Sequence, residues 1–325
     1  MKKKVEFLQK NLSLLIPAVM IAGIIYGLIF KTSNLKVLIV PLTFLMVYPM
    51  MVGLNLKELF SNGGKKANLL ALIINFGVMP FTAFFIGKYF WGESSQIYLL
   101  IGLLLSALLP TSGMTISWTG FARGNIHSAI KMTIIGLIAG SILAPIYINF
   151  LVGAEITVPF SEVFSQIAVI VFMPMAIGNI TQRFLIKKYG AEHFKKEIKT
   201  TISSLSTIGV FGIVFVAMAL KATVITANPK EFFIYFIPIL ILYMLNFFIS
   251  TVAGKIFLSR GDAIALFYGT VMRNLSIALA LAMAIFKEKG ADAAVIISIS
   301  YIVQVQSAAL YVKFTDKIFV KGEHK

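Results

Sequence analysis

Ten runs of apolar residues, each long enough to cross a lipid bilayer, decide what this chain can fold into. They lie at roughly 11–30, 37–56, 67–90, 97–122, 126–152, 162–185, 200–221, 231–257, 262–286 and 292–313. A hydrocarbon core of about 30 Å needs about 20 apolar residues of helix at 1.5 Å per residue. Inside lipid the backbone must satisfy its own N–H and C=O groups, so runs of this length specify an all-α integral membrane protein. With 58% hydrophobic and 13% charged residues over 325 positions, the composition is far from that of a soluble domain. The chain has no cysteine, which removes disulfides, thiolate metal sites and thiol chemistry from consideration.

A net charge of +16 would suit a nucleic-acid partner if it formed one polar face, but the basic residues sit in the short breaks between apolar runs. One side of the membrane collects the N-terminal lysines, Lys57, Lys65 and Lys66, Arg123 and Lys131, the Arg183–Lys199 connection, Lys255 and Arg260, and the C-terminal lysines. That side holds 21 Lys and Arg, the other 7, and Arg273 is left over. The bias is the positive-inside pattern and places both termini in the cytoplasm of a multi-pass protein of the plasma or inner membrane. Met1-Lys-Lys-Lys4 before an apolar run has the look of a signal peptide, yet the run is of spanning length and reads as an uncleaved first helix.

Residues 1–325 read as one transmembrane domain of two halves, about 11–152 and about 162–313, with five spans each. An odd number of spans per half requires any structural repeat to be inverted. Gly87-Lys-Tyr-Phe90 ends the third span and Gly254-Lys-Ile-Phe257 ends its counterpart, the eighth. A stronger correspondence lies in the fourth span of each half. Span four contains Leu109-Pro-Thr-Ser-Gly-Met-Thr-Ile-Ser-Trp118, where Pro110 removes a backbone donor, disfavours helix at Leu109, and is followed by the permissive Gly113. Span nine contains Gly269-Thr-Val-Met-Arg-Asn-Leu-Ser276, with Arg273 alone in an otherwise uncharged stretch from Ala263 to Phe286. Arg273 is about ten residues, hence about 15 Å, inside that span, where an arginine costs about 2.5–3.5 kcal/mol even on lenient insertion scales.

Interrupted segments at corresponding places of two halves point to the midplane site of a secondary transporter. Taken singly, a proline kink or an intramembrane hydroxyl is an ordinary packing feature. Asn75, Asn179, Asn246 with Ser250 and Thr251, and Gln304, Gln306 and Ser307 read as interhelical hydrogen-bonding groups. Gly23-x-x-x-Gly27 and Gly136-x-x-x-Gly140 read as close helix packing. No span carries Asp or Glu beyond its ends, and His127, His193 and His324 fall in breaks or the tail, so no proton relay, hydrolase set or metal cluster is expected within the membrane. Gly63-Gly-Lys-Lys66 lacks the leading glycine and the hydroxyl of a nucleotide-binding loop. The chain reads as a transporter and not an enzyme, with no cofactor.

At these residues the chain resembles the bile acid:sodium symporter family and its superfamily relatives, the arsenite-efflux carriers. Asn75-Phe-Gly-Val-Met-Pro80 resembles Gln-Phe-x-x-Met-Pro of the family's third span. Ala122-Arg-Gly-Asn125 is similar to the turn after its fourth. Met272-Arg-Asn-Leu-Ser-Ile-Ala278 resembles Met-Gln-Asn-Ser-Gly-Leu-Ala of its ninth. The resemblance implies ten helices in an inverted 5+5 repeat. Spans one, two, six and seven would form a panel, and the rest a core in which discontinuous spans four and nine cross. It also implies Na+ as the coupling ion, but the glutamate that bridges two sodium sites is Gly269 here, and the following glutamine is Arg273. Among the implied first-site ligands Thr115 and Thr133 keep a hydroxyl, while Ile116 and Ala129 replace an amide and a hydroxyl. At the second, Asn75 stands for a glutamine and Met272 offers its carbonyl. A cation about 5 Å from Arg273 is repelled by about 3 kcal/mol at an effective dielectric near 20, so sodium coupling is expected to be weakened or lost.

Span four is also similar to the Pro-Cys-Thr-x-Met-x-x-x-Trp of the arsenite carriers, with Thr111 at the cysteine, and Ser276 stands at their span-nine glutamate. Arsenic resistance is therefore the second reading; neutral arsenite would gain little from Arg273. The leading reading is a secondary transporter of a small organic anion. Arg273, Asn274, Ser276, Thr111, Ser112 and Thr115 would bind it. Thr133, Asn75, Met272, Thr270, Gln304 and Gln306 are accessory or ion-binding candidates. The competing role for Arg273 is to tie down carbonyls freed by the helix break. The lipid bilayer and a small anion are the expected partners, with no nucleic acid, and the oligomeric state is open.

Overall fold

A computed structural model describes residues 12–54, 56, 64–156 and 160–319. The amino-terminal lysines, Lys57 and the lysines after residue 320, which carry part of the orientation argument, lie outside the described residues. Among the described residues the chain is helices and their connections, with no strand. The helices are α1 (Leu12–Ile29), α2 (Ile39–Val52, entered through a 3₁₀ segment Ser33–Leu38), α3 (Lys65–Trp91), α4 (Ile97–Leu108), α5 (Gly113–Phe121) and α6 (Ile126–Val152). They continue as α7 (Phe160–Tyr189), α8 (Lys199–Ala227), α9 (Pro229–Phe257), α10 (Arg260–Val271), α11 (Leu275–Phe286) and α12 (Gly290–Ile318).

Seven of these runs are long and apolar enough to cross a membrane; α4, α11 and the described part of α1 are apolar but shorter. The expected fourth and ninth spans are each two helices, because the chain leaves helical geometry at Leu109–Ser112 and again at Met272–Asn274.

Local sequence accounts for the irregular turns. In α3 a π-helical turn, Ile73–Val78, precedes Pro80, which cannot donate to the carbonyl four residues back, Phe76. The hydroxyl of Tyr147 donates to that carbonyl instead. In α7 a second π turn, Ala168–Phe172, precedes Pro174 in the same way.

Two compact units emerge. The first gathers α1, α2, α7 and α8 with Ser276–Ser298. Gly23 and Gly27 let α1 touch α8: a Cβ on Gly27 would lie 2.2 Å from the Ala219 carbonyl oxygen. The Gln182 amide donates to the carbonyls of Val52 and Leu54 at 2.9 and 3.2 Å and so caps α2. The four helices expected in a panel are together here, but Ser276–Ser298, expected with the core, joins them. Two ion pairs lie within this unit: Lys221 Nζ is 2.7 Å from Asp292 Oδ1, and Lys36 pairs with Glu288.

The second unit gathers α3 to α6, most of α9, α10 and the chain from Ile299 onward. Asp262, in the first turn of α10, accepts from Asn125 Nδ2 and Ser128 Oγ, both at 2.8 Å, while the Asn125 amide donates to the Gly261 carbonyl at 2.8 Å. The turn after α5 is thereby fastened to the start of α10.

Candidate functional site

The site grows from two helix ends. A helix leaves its last four carbonyls without internal partners, and α4 stops at Leu108 because Pro110 cannot continue it. The end of α10 is followed by Met272 in extended geometry (φ −81°, ψ 93°). The two interruptions then pair as short backbone segments: Pro110 and Arg273 form an antiparallel bridge, and the Asn274 amide donates to the Leu109 carbonyl at 2.7 Å.

Thr111 sits at φ +63°, a region that disfavours a β-branched residue. Its hydroxyl lies 2.6 Å from the Pro110 carbonyl, 3.2 Å from that of Thr133 and 3.4 Å from that of Met132, so α6 holds the strained residue in place. The approach needs Gly136, where a Cβ would stand 2.6 Å from Thr111 Oγ1. Ser112 and Thr115 form a capping box on α5: Ser112 Oγ accepts from the Met114 amide and Thr115 Oγ1 from the Ser112 amide, each at 3.2 Å.

Arg273 is 3% exposed. Its backbone is clamped by Gln304, whose Oε1 accepts from the Arg273 amide at 2.8 Å and whose Nε2 donates to the Arg273 carbonyl at 3.3 Å. Tyr243 donates its hydroxyl to the same Oε1 at 2.8 Å. The guanidinium points to α3 and α4: Nη1 donates to Asn75 Oδ1 at 2.9 Å and to the Ala107 carbonyl, one of the orphans at the end of α4, at 3.1 Å. A cation at a helix carboxyl end is favoured by the helix dipole. Nη2 is buried without a hydrogen-bond partner among the described residues. Asn75 also donates Nδ2 to the Gly269 carbonyl at 3.0 Å, and it borders a cavity of about 10 Å³ between α3 and α6, one water in size.

Thr270 is buried under α9, its carbonyl accepting from Asn246 Nδ2 at 2.8 Å and its hydroxyl 2.6 Å from Ser250 Oγ. Thr133 bonds back to the Ala129 carbonyl within α6 at 2.8 Å. Asn274 is buried beside Arg273, whereas Ser276 begins α11 half-buried and belongs to the first unit. Gln306 is exposed, because two residues along a helix turn about 200° away from Gln304, and it joins nothing here. Sequence reading missed the acceptor carbonyls of Ala107 and Leu109, and also Tyr243. The spacing of Tyr243, Asn246 and Ser250 at i, i+3 and i+7 on one face of α9 was the available signal for Tyr243.

No carboxylate among the described residues pairs with Arg273. A Cβ on Gly269 would lie 2.5 Å from Met132 Sδ, so a thioether fills the space into which a longer side chain at 269 would project.

Residues 40–228, more than half of the chain, match the sodium bile acid symporter family. The chain belongs to that family. Over 268 residues it is 20% identical to the arsenical-resistance protein Acr3 of Alkaliphilus metalliredigens, covering 76% of this chain and 75% of that one. It is 23% identical over 273 residues to an uncharacterized transporter of Synechocystis, covering 78% and 71%. A shorter match, 26% over 121 residues, joins it to sodium/bile acid cotransporter 7 of Rattus norvegicus, covering 37% and 36%. As a sodium bile acid symporter family member the protein is a multi-span membrane transporter of small molecules.

Proposed function

We propose that this family member is a secondary transporter of a small organic anion whose carboxylate binds at Arg273. In this reading each broken pair, α4 with α5 and α10 with α11, crosses the bilayer as one span. That makes ten spans in an inverted 5+5 repeat, 11–152 and 162–313, with both termini cytoplasmic in the plasma or inner membrane. The observation that carries the proposal is Nη2 of Arg273: a buried cationic nitrogen without a partner among the described residues, on a group that no described carboxylate neutralises. A buried charge left uncompensated is strongly destabilising, and a bound anion supplies both the opposite charge and the missing acceptor.

Part of the guanidinium is already committed to Asn75 and Ala107, so the tie to freed carbonyls and the anion contact use different nitrogens of one side chain. The capping hydroxyls of Ser112 and Thr115 retain protons to donate, at the amino end of α5. Anion uptake by proteoliposomes containing Arg273→Gln is the test. Uptake is expected to fall at least roughly tenfold, the loss of one charge-assisted hydrogen bond; wild-type uptake by a well-folded variant sinks the proposal.

A second reading, arsenical export, is favoured by the likeness to Acr3 over three quarters of both chains. Expression in a metalloid-sensitive host discriminates: growth on arsenite with an intact chain, lost on deleting it, supports this second reading against the first.

A further inference from the structure

From the charge arithmetic at Arg273 we infer that the protein is an obligatory anion exchanger, in which an anion must occupy the site for it to pass in either direction. The inference rests on the anion reading above and adds the mode of coupling. Arg273 carries one permanent positive charge and is 3% exposed. Its acceptors, Asn75 Oδ1 and the Ala107 carbonyl, are neutral dipoles, and no described carboxylate pairs with it: Asp262 binds Asn125 and Ser128, Asp292 Lys221, and Asp316 Arg260.

A transporter presents its site to one side and then the other, and between them the site is closed off from water on both. With a carboxylate on Nη2 the closed site is neutral overall and its last donors are paired. With nothing bound, the closed site holds a desolvated guanidinium near the middle of the bilayer with Nη2 unpaired and no counter-charge, a costly arrangement for such a group. The loaded form therefore crosses readily in both directions and the unloaded form is trapped facing one side. Net uptake needs the unloaded return; exchange does not. The lack of an intramembrane carboxylate or histidine leaves no protonatable side chain to neutralise the return.

The experiment uses the full chain in two steps. In detergent, thermal unfolding of wild type and Arg273→Gln is measured with acetate, pyruvate, lactate, glutamate and cholate. The probe that most stabilises wild type, radiolabelled, is then followed into proteoliposomes filled either with the same unlabelled compound or with buffer whose only anion is sulfate. The inference expects initial uptake at least roughly tenfold faster into the carboxylate-filled vesicles, and an exchange rate unchanged by an imposed potassium diffusion potential. Equal rates into both kinds of vesicle overturn obligatory exchange while leaving anion binding intact. No stabilisation by any probe, or equal stabilisation of Arg273→Gln, overturns the anion reading itself and the exchange with it.

Discussion

Arg273 is the residue on which the proposed site depends, and in that proposal its donors divide between structure and ligand. Nη1 belongs to the fold through Asn75 and Ala107; Nη2 is left over. Asn75→Asp tests that division, because it sets a carboxylate where the 2.9 Å contact now ends. It turns the bond from Asn75 to the Gly269 carbonyl into a contact between two acceptor oxygens, costing about 1–3 kcal/mol, but compensates a buried charge whose isolation costs about 3–5 kcal/mol. The variant is expected to melt at a higher temperature and to bind carboxylates at least roughly tenfold more weakly. A lower melting temperature together with undiminished binding would show that Arg273 is not short of negative charge. The presence and depth of Arg273 were plain in the sequence. Its acceptors were not, since one is the Ala107 carbonyl, which any residue could have supplied, and the others are side chains distant in sequence.

At the level of elements, the interruption in each broken helix is a backbone event supported by the next helix. Pro110 ends α4, Thr111 takes a strained left-handed geometry, and α6 approaches closely enough to hold it only because position 136 is glycine. Gly136→Ala would bring a methyl to 2.6 Å from Thr111 Oγ1. It is expected to cost about 1–3 kcal/mol, read as a fall in melting temperature. Uptake should fall with it, since the bridge between Pro110 and Arg273 depends on the same turn. An unchanged melting temperature would mean that α6 does not hold the break. Sequence reading recognised both breaks and both glycine pairs, but assigned Ser112 to substrate and Thr115 to substrate or the first sodium site. Their oxygens also cap α5, a role fixed by the geometry of the chain re-entering the helix.

For the whole molecule, orientation and coupling are the properties to test. The chain lacks cysteine, so single cysteines report sidedness without background. Glu93→Cys, in the exposed connection between α3 and α4, is expected to react with an impermeant maleimide on intact cells. Lys188→Cys, exposed at the end of α7, should react only after the cells are opened. The reverse pattern would invert the proposed topology. Sodium is expected to leave uptake unchanged, because a cation about 5 Å from Arg273 is repelled by about 3 kcal/mol and Met132 occupies the space beside Gly269. Comparing initial uptake with and without an inward sodium gradient checks this, and strong stimulation refutes it.

Hydrophobic run length, the sidedness of Lys and Arg, the two helix interruptions and the intramembrane arginine are properties of contiguous residues, and the sequence alone determined them. Helix formation in lipid is a local necessity, so run length and proline position are sufficient to read it. Only the tertiary structure decided that Asn75, 198 positions away, takes one nitrogen of Arg273, and that Gln304 and not Gln306 clamps its backbone. It also decided that Met132 fills the space at Gly269 and that Nη2 has no hydrogen-bond partner among the described residues. Those outcomes depend on which helices meet and at what depth, and hydrogen-bond partners distant in sequence are fixed only by that packing.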